Sequence, residues 1–127
     1  MILHKERMDG VHGDLVKVIT LAADKAPWPL VIIEGRRTAE RQRELVAQGA
    51  SKTLNSRHIP GADGLGKALD VAPAPENVAS WAWPLYYQLA PLIKEAAEEL
   101  AIHVEWGGDW TSFKDGPHWQ LPRGEYP

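Results

Sequence analysis

Ser56-Arg57-His58-Ile59-Pro60-Gly61-Ala62-Asp63-Gly64-Leu65-Gly66-Lys67-Ala68-Leu69-Asp70-Val71-Ala72 carries the chain out of irregular backbone and into a strand, and its reading decides how the rest is arranged. From Gly49 to Lys67 the sequence is rich in Ser, Asn, Gly and Pro, so His58 falls on a loop. Residues 68–72 are short and apolar apart from one carboxylate, which predicts a central strand that holds Asp70 rigidly. A matching back half follows much later. Trp106-Gly107-Gly108-Asp109-Trp110 is a glycine-rich turn leading to Pro117-His118-Trp119-Gln120-Leu121, a second predicted strand that carries another histidine.

Upstream of this stretch, residues 14–25 place Leu15, Val18, Ile19 and Ala22 on one helical face, with Asp14 as the expected cap and Pro27 just beyond the end. Residues 29–34 are apolar and β-branched, which predicts a buried strand closed by Gly35. Thr38 is placed to cap a second helix running to about Gln48, with Gly49 as its stop. Arg36 and Arg37 therefore sit at a strand-to-helix turn, where side chains project into sites. Downstream, residues 73–77 read as a turn. Over 85–101, Leu85, Leu89, Leu92, Ile93, Ala96 and Leu100 recur at helical spacing, and Pro91 is expected to kink or interrupt the first part. Residues 102–106 alternate as a strand does.

At 127 residues the chain has room for one core, so a single domain spanning 1–127 is expected. Hydrophobic residues make up 44% and charged residues 24%, the balance of a globular protein. The net charge of -3 is spread over interspersed acids and bases, with no basic stripe for a phosphate backbone, so nucleic acid is not an expected partner. There are no cysteines, which excludes disulfides, thiolate ligands and a cysteine nucleophile. The first nine residues are too polar for a signal peptide, and no apolar run approaches a membrane span.

A metal site in this chain must then be built from imidazole and carboxylate. Zinc in hydrolases takes three protein ligands drawn from His, Asp and Glu and keeps a fourth position for water; His58, Asp70 and His118 offer that set. Asp63 is a rival to Asp70, but it is flanked by glycine-rich turn sequence and lacks a strand to hold it. His4, His12 and His103 have no motif around them and read as surface or satisfied histidines. Of the six tryptophans, Trp81, Trp83, Trp106, Trp110 and Trp119 can line a cleft, although core filling accounts for most.

Five segments in order carry a resemblance: Glu34-Gly35-Arg36-Arg37-Thr38 with Gln42, Ser56-x-His58, Gly66-x-Ala68-x-Asp70, Trp106-Gly107-Gly108-Asp109-Trp110, and Asp115-x-x-His118. The chain resembles the M15 family of zinc peptidases, and within it the bacteriophage endolysins that cut the L-alanyl-D-glutamate bond of peptidoglycan. One departure is the longer loop, residues 59–65, between His58 and Gly66. The resemblance implies an α+β fold of the Hedgehog and D,D-peptidase type, a small antiparallel sheet with packed helices. It implies Zn2+ on His58, Asp70 and His118, Asp115 as the catalytic carboxylate, and Arg37 steadying the oxyanion or a substrate carboxylate. Glu105 and Asp109 are weaker candidates for the carboxylate role, and Arg36 is read as structural or exposed. Ser56 is the implied substrate contact, and among the tryptophans Trp106 is the one expected near the site as a further substrate contact. The implied reaction is hydrolysis of the stem peptide between L-alanine and D-glutamate, leading to host lysis. A D-alanyl-D-alanine carboxypeptidase and a non-catalytic, zinc-stabilised wall-binding module are the alternatives. Peptidoglycan is the expected partner and a monomer the expected state, without membrane insertion. The expected location is the host cytoplasm, with access to the wall after a membrane-permeabilising partner has acted.

Overall fold

Three strands rich in buried apolar residues lie side by side in the computed structural model, which describes residues 1–51 and 56–127. Asn55 and the rest of 52–55, part of the predicted loop, lie outside the described residues. The strands are β2 (Leu30–Glu34), β3 (Ala68–Pro73) and β5 (His118–Gln120). Short edge strands β1 (Ile2–Leu3) and β4 (Glu105–Trp106) complete a five-stranded sheet of order β1-β2-β3-β5-β4. The helices are α1 (Gly13–Lys25), α2 (Ala39–Ala47) and α3 (Trp83–Glu99).

The register of the central strands is what builds the site. Glu34 on β2 lies opposite Asp70 on β3, and Asp70 lies opposite His118 on β5. Directly opposed residues of antiparallel strands project from the same face, so these three side chains form a row across the sheet. A register shift between Ile32 and Glu34 marks a bulge that re-aims Glu34 into that row. Leu69 and Val71 alternate to the other face and are fully buried in the core with Leu15, Val18 and Ile19 of α1 and Leu89 and Ile93 of α3. Helix α1 packs on α3, and α3 on β3. Lys25 Nζ ties the two helices together by reaching Glu99 at 2.7 Å and Glu95 at 3.3 Å.

The structure corrects four local expectations. The sheet is mixed, because β1 runs parallel to β2; two residues carry no periodicity from which a strand is legible. The cap of α1 is His12, whose Nδ1 accepts from Asp14 N at 3.0 Å, while the Asp14 carboxylate accepts from the Tyr126 hydroxyl at 2.7 Å. Helix α3 starts at Trp83, with Pro84 in its first turn where a missing N–H costs nothing, and it runs on through Pro91. Pro91 and Tyr87, whose carbonyl loses its helical partner, are both exposed, so water can take the vacated bond. Finally, only Glu105 and Trp106 of the predicted 102–106 strand are paired. Helix α2 and its Thr38 cap, which accepts from Arg41 N at 3.1 Å, match the sequence reading.

Candidate metal centre

His58 reaches the sheet from its loop, whose ends are fastened by backbone bonds. Arg37 N donates to His58 O at 2.7 Å, and Lys67 N donates to Arg57 O at 2.8 Å. One ligand atom from each of His58, Asp70 and His118 lies within 4.8 Å of the other two. His58 and His118 are buried and their rings meet edge to face with centroids 5.1 Å apart. His58 Nε2 and His118 Nδ1 each lie 3.3 Å from Asp70 Oδ1. That oxygen is buried and accepts no hydrogen bond from any described residue.

Hydrogen bonds on the far side of each ring fix which nitrogen faces inward. His58 Nδ1 lies 2.7 Å from Gly35 O; a carbonyl only accepts, so Nδ1 carries the proton and Nε2 presents its lone pair. His118 Nε2 lies 2.7 Å from Gln120 Oε1, and the amide of Gln120 is oriented by its Nε2, which donates to Glu105 Oε1 at 2.9 Å. His118 Nδ1 therefore presents its lone pair as well. Three acceptors facing one another repel unless a cation sits among them or an imidazole takes a proton. The orphaned Asp70 oxygen, the two inward lone pairs and the outer hydrogen bonds fit a divalent cation, because imidazole ligands of metals are oriented by such outer partners.

Without a cation the same crowding appears as altered acidity. Burial alone would raise the Asp70 carboxyl, but His118 and His58 beside it hold it well below the usual carboxylate range. Burial would lower His118, yet the Asp70 carboxylate and then Gln120 and Asp115 raise it. Asp115 is raised by its own burial and by Asp70, against the pull of His118, His58 and Arg37.

The row opens on a cleft of about 680 Å³, which Asp70 and His118 line together with Arg37, Ser56 and Asp115. Arg37 is held as a fork: Nε donates to Glu34 Oε1 at 2.8 Å, one terminal nitrogen pairs with Glu34 Oε2, and the other donates to Gln42 Oε1 at 2.6 Å. Three of its five N–H groups are used in this way, which leaves two for a ligand. Ser56 lines the cleft and also accepts from His58 N at 3.2 Å, so it shapes the ligand loop. Asp115 is brought in by Gly107, whose carbonyl accepts from Asp115 N at 3.0 Å. A Cβ on Gly107 would stand 2.4 Å from Asp115 O, which explains the glycine in the tryptophan-glycine motif.

Trp106 does not line this cleft. Its indole is buried, stacks on Trp119 at 5.7 Å and donates to Gly116 O at 2.8 Å, so it supports the Asp115 turn from beneath. Trp110 and the exposed Phe113 are aromatic side chains that line the cleft, with Trp110 5.0 Å from the His118 ring. Asp63 pairs with Lys67 at 2.7 Å and lies outside the cluster. Asp109 pairs with Lys94 at 2.8 Å, and Glu105 acts two bonds removed from the centre through Gln120. Gln120 went unread in the sequence, although its position two residues after His118 on a strand places both on one face. Arg36 is exposed, as expected.

An inward-facing His-Asp-His cluster on the central strands, with a third carboxylate in the cleft beside it, defines the class as a candidate metallohydrolase. The phage L-alanyl-D-glutamate peptidase family model matches residues 3–121, and the chain belongs to that family. The crystal structure of the Serratia marcescens L-Ala D-Glu endopeptidase ChiX is 45% identical, covers 100% of this chain and 94% of that one, and superposes with a TM-score of 0.89. The L-alanyl-D-glutamate peptidase of Listeria phage A118 is 36% identical over 92 residues, 72% of this chain; the chain spans 30% of that protein's length. A vancomycin-resistance D,D-dipeptidase, VanXYg, shares the fold at 14% identity and a TM-score of 0.52, over 87% of this chain and 50% of that one. The α+β architecture of the D,D-peptidase type is therefore the fold of this chain. No helix of the described residues is long and apolar enough to cross a membrane.

Proposed function

We propose that this chain is a zinc-dependent peptidase that hydrolyses the amide between L-alanine and D-glutamate in peptidoglycan stem peptides. Three inward-facing donor atoms around an orphaned Asp70 oxygen, beside a cleft that also holds Asp115, carry the reading. Family membership and the name of the Serratia relative supply the bond. Two imidazoles and one carboxylate suit zinc with a position left for water or substrate. When bound, such an ion polarises a carbonyl oxygen and makes water a nucleophile near neutral pH.

The chain's own residues do the rest. Asp115, made more basic by burial and by Asp70, takes the proton of the attacking water and returns it to the leaving amine. Arg37 stays ionised and rigid in its fork, and its two unused N–H groups steady the negative charge that develops on the carbonyl oxygen. Trp110 walls the cleft beside His118. Expression together with a membrane-permeabilising partner is the setting in which lysis is expected.

Product analysis on purified peptidoglycan tests the bond: a new glutamate amino terminus supports the endopeptidase, and free D-alanine would replace it with a carboxypeptidase. In Asp115→Ala, turnover should fall by roughly a hundredfold or more while zinc content stays that of wild type. Unchanged turnover in that variant would remove Asp115 from the chemistry.

A further inference from the structure

The cleft holds more committed positive charge than free positive charge. Arg57 lines it, but its guanidinium is spent on the carbonyls of Leu121 at 2.8 Å and Tyr126 at 2.6 Å. Arg37 is neutralised by Glu34. Lys114 also lines the cleft, is exposed, and forms no ion pair or hydrogen bond with any described residue. Its neighbour in sequence is Asp115. Consecutive residues of an extended strand face opposite ways, yet these two line one cleft. Both lie in irregular backbone just after Phe113, which is in the left-handed region at φ 51°.

The substrate class brings charge to this spot. In a stem peptide the D-glutamyl residue continues through its γ-carboxyl, so its α-carboxylate stands free on the carbon next to the scissile nitrogen. The group that protonates that nitrogen must come close to this carboxylate. On the reading above that group is Asp115, whose carboxylate would repel the substrate's own unless a cation stood between them.

Resting on the peptidase reading, we infer that Lys114 is a specificity-determining residue that binds the α-carboxylate of the D-glutamyl residue on the leaving side of the scissile bond. The ammonium selects stems that keep this carboxylate ionised over those in which it is amidated to isoglutamine. It also offsets the Asp115 carboxylate as a negative substrate enters the cleft.

The test uses zinc-loaded protein and two synthetic stem peptides that differ only in the D-glutamyl α-position, acid against amide. Wild type should cleave the acid with a kcat/KM roughly tenfold higher, the scale of one partly solvated charge-assisted hydrogen bond. Lys114→Met should bring that ratio close to one, and Lys114→Arg should keep most of it. A variant that is merely damaged would lose rate on both peptides and retain the ratio, and a retained ratio in Lys114→Met overturns the assignment. Equal rates on the two peptides in wild type overturn it as well. Cleavage of neither peptide by wild type sinks the peptidase reading itself.

Discussion

Asp70 Oδ1 sits where three acceptors meet, and in the protein without metal a proton on an imidazole relieves the crowding, which the raised His118 favours. The sign of the resulting pH dependence follows. The Asp70 carboxyl is lowered on folding, so its stabilisation is present above its ordinary value of 3.8 and fades as acid brings the pH down through the folded value. His118 is raised on folding, so its contribution is complete below its ordinary value of 6.5 and drains away as pH rises through the folded value. Chelator-treated protein should therefore lose Tm as pH rises above the ordinary value of 6.5, while zinc-loaded protein gains stabilisation from the metal over the same rise, because binding displaces protons. Thermal scans across that range check both slopes; a metal-free Tm that climbs with pH would contradict a charged His118. At this scale the three cluster residues were legible from their types, which a metal requires, and the place of Asp115 beside them in the cleft from the family resemblance. Gln120, Gly35 and the cap at His12 were less so, because a partner that holds the back of a ring is chosen by register and loop path.

Elements were legible in proportion to their periodicity. The apolar face of α1 and the run of β2 announce themselves, and Thr38 followed by good helix formers marks α2. Strands β1 and β4 have two residues each and are defined by their neighbours in the sheet. Pro91 misled because the penalty for an interior proline depends on where the freed carbonyl faces, which the sequence does not state. The turn between β4 and β5 carries the proposed catalytic carboxylate, Asp115, and Gly107 is its contact point. A methyl group there would press 2.4 Å from Asp115 O, 2.9 Å from Asp115 Cβ and 3.1 Å from His118 Cβ. Gly107→Ala should cost about 1 to 3 kcal/mol in denaturant unfolding and should lower turnover as well, because Asp115 must move. Normal turnover in this variant would mean that the turn tolerates displacement.

On the scale of the whole molecule, both ends of the chain are bonded to the loop that carries His58. From the N-terminal side, Gly66 N donates to Gly10 O at 2.8 Å and His12 N donates to Gly66 O at 2.9 Å. From the C-terminal side, buried Arg57 holds the carbonyls of Leu121 and Tyr126. Arg57→Met should destabilise the fold by about 3 kcal/mol, since charge-assisted bonds are lost and buried acceptors are left unmet, and zinc affinity should weaken with it. Competition with a chromogenic chelator reads the second effect; wild-type affinity in a destabilised variant would uncouple the loop from the tail. The mixed α+β class was legible from sequence, but this convergence was not, because Arg57 and Tyr126 are 69 positions apart and neither belongs to a motif. The carbonyl of Pro127 also lies against Gly61, at 3.1 Å from where a side chain there would begin. Anything joined behind Pro127, whether a purification handle or a targeting module, would emerge against the 59–65 loop that follows His58, so on the zinc reading its bulk and charge would be felt as altered metal retention rather than as inert cargo at a distant pole.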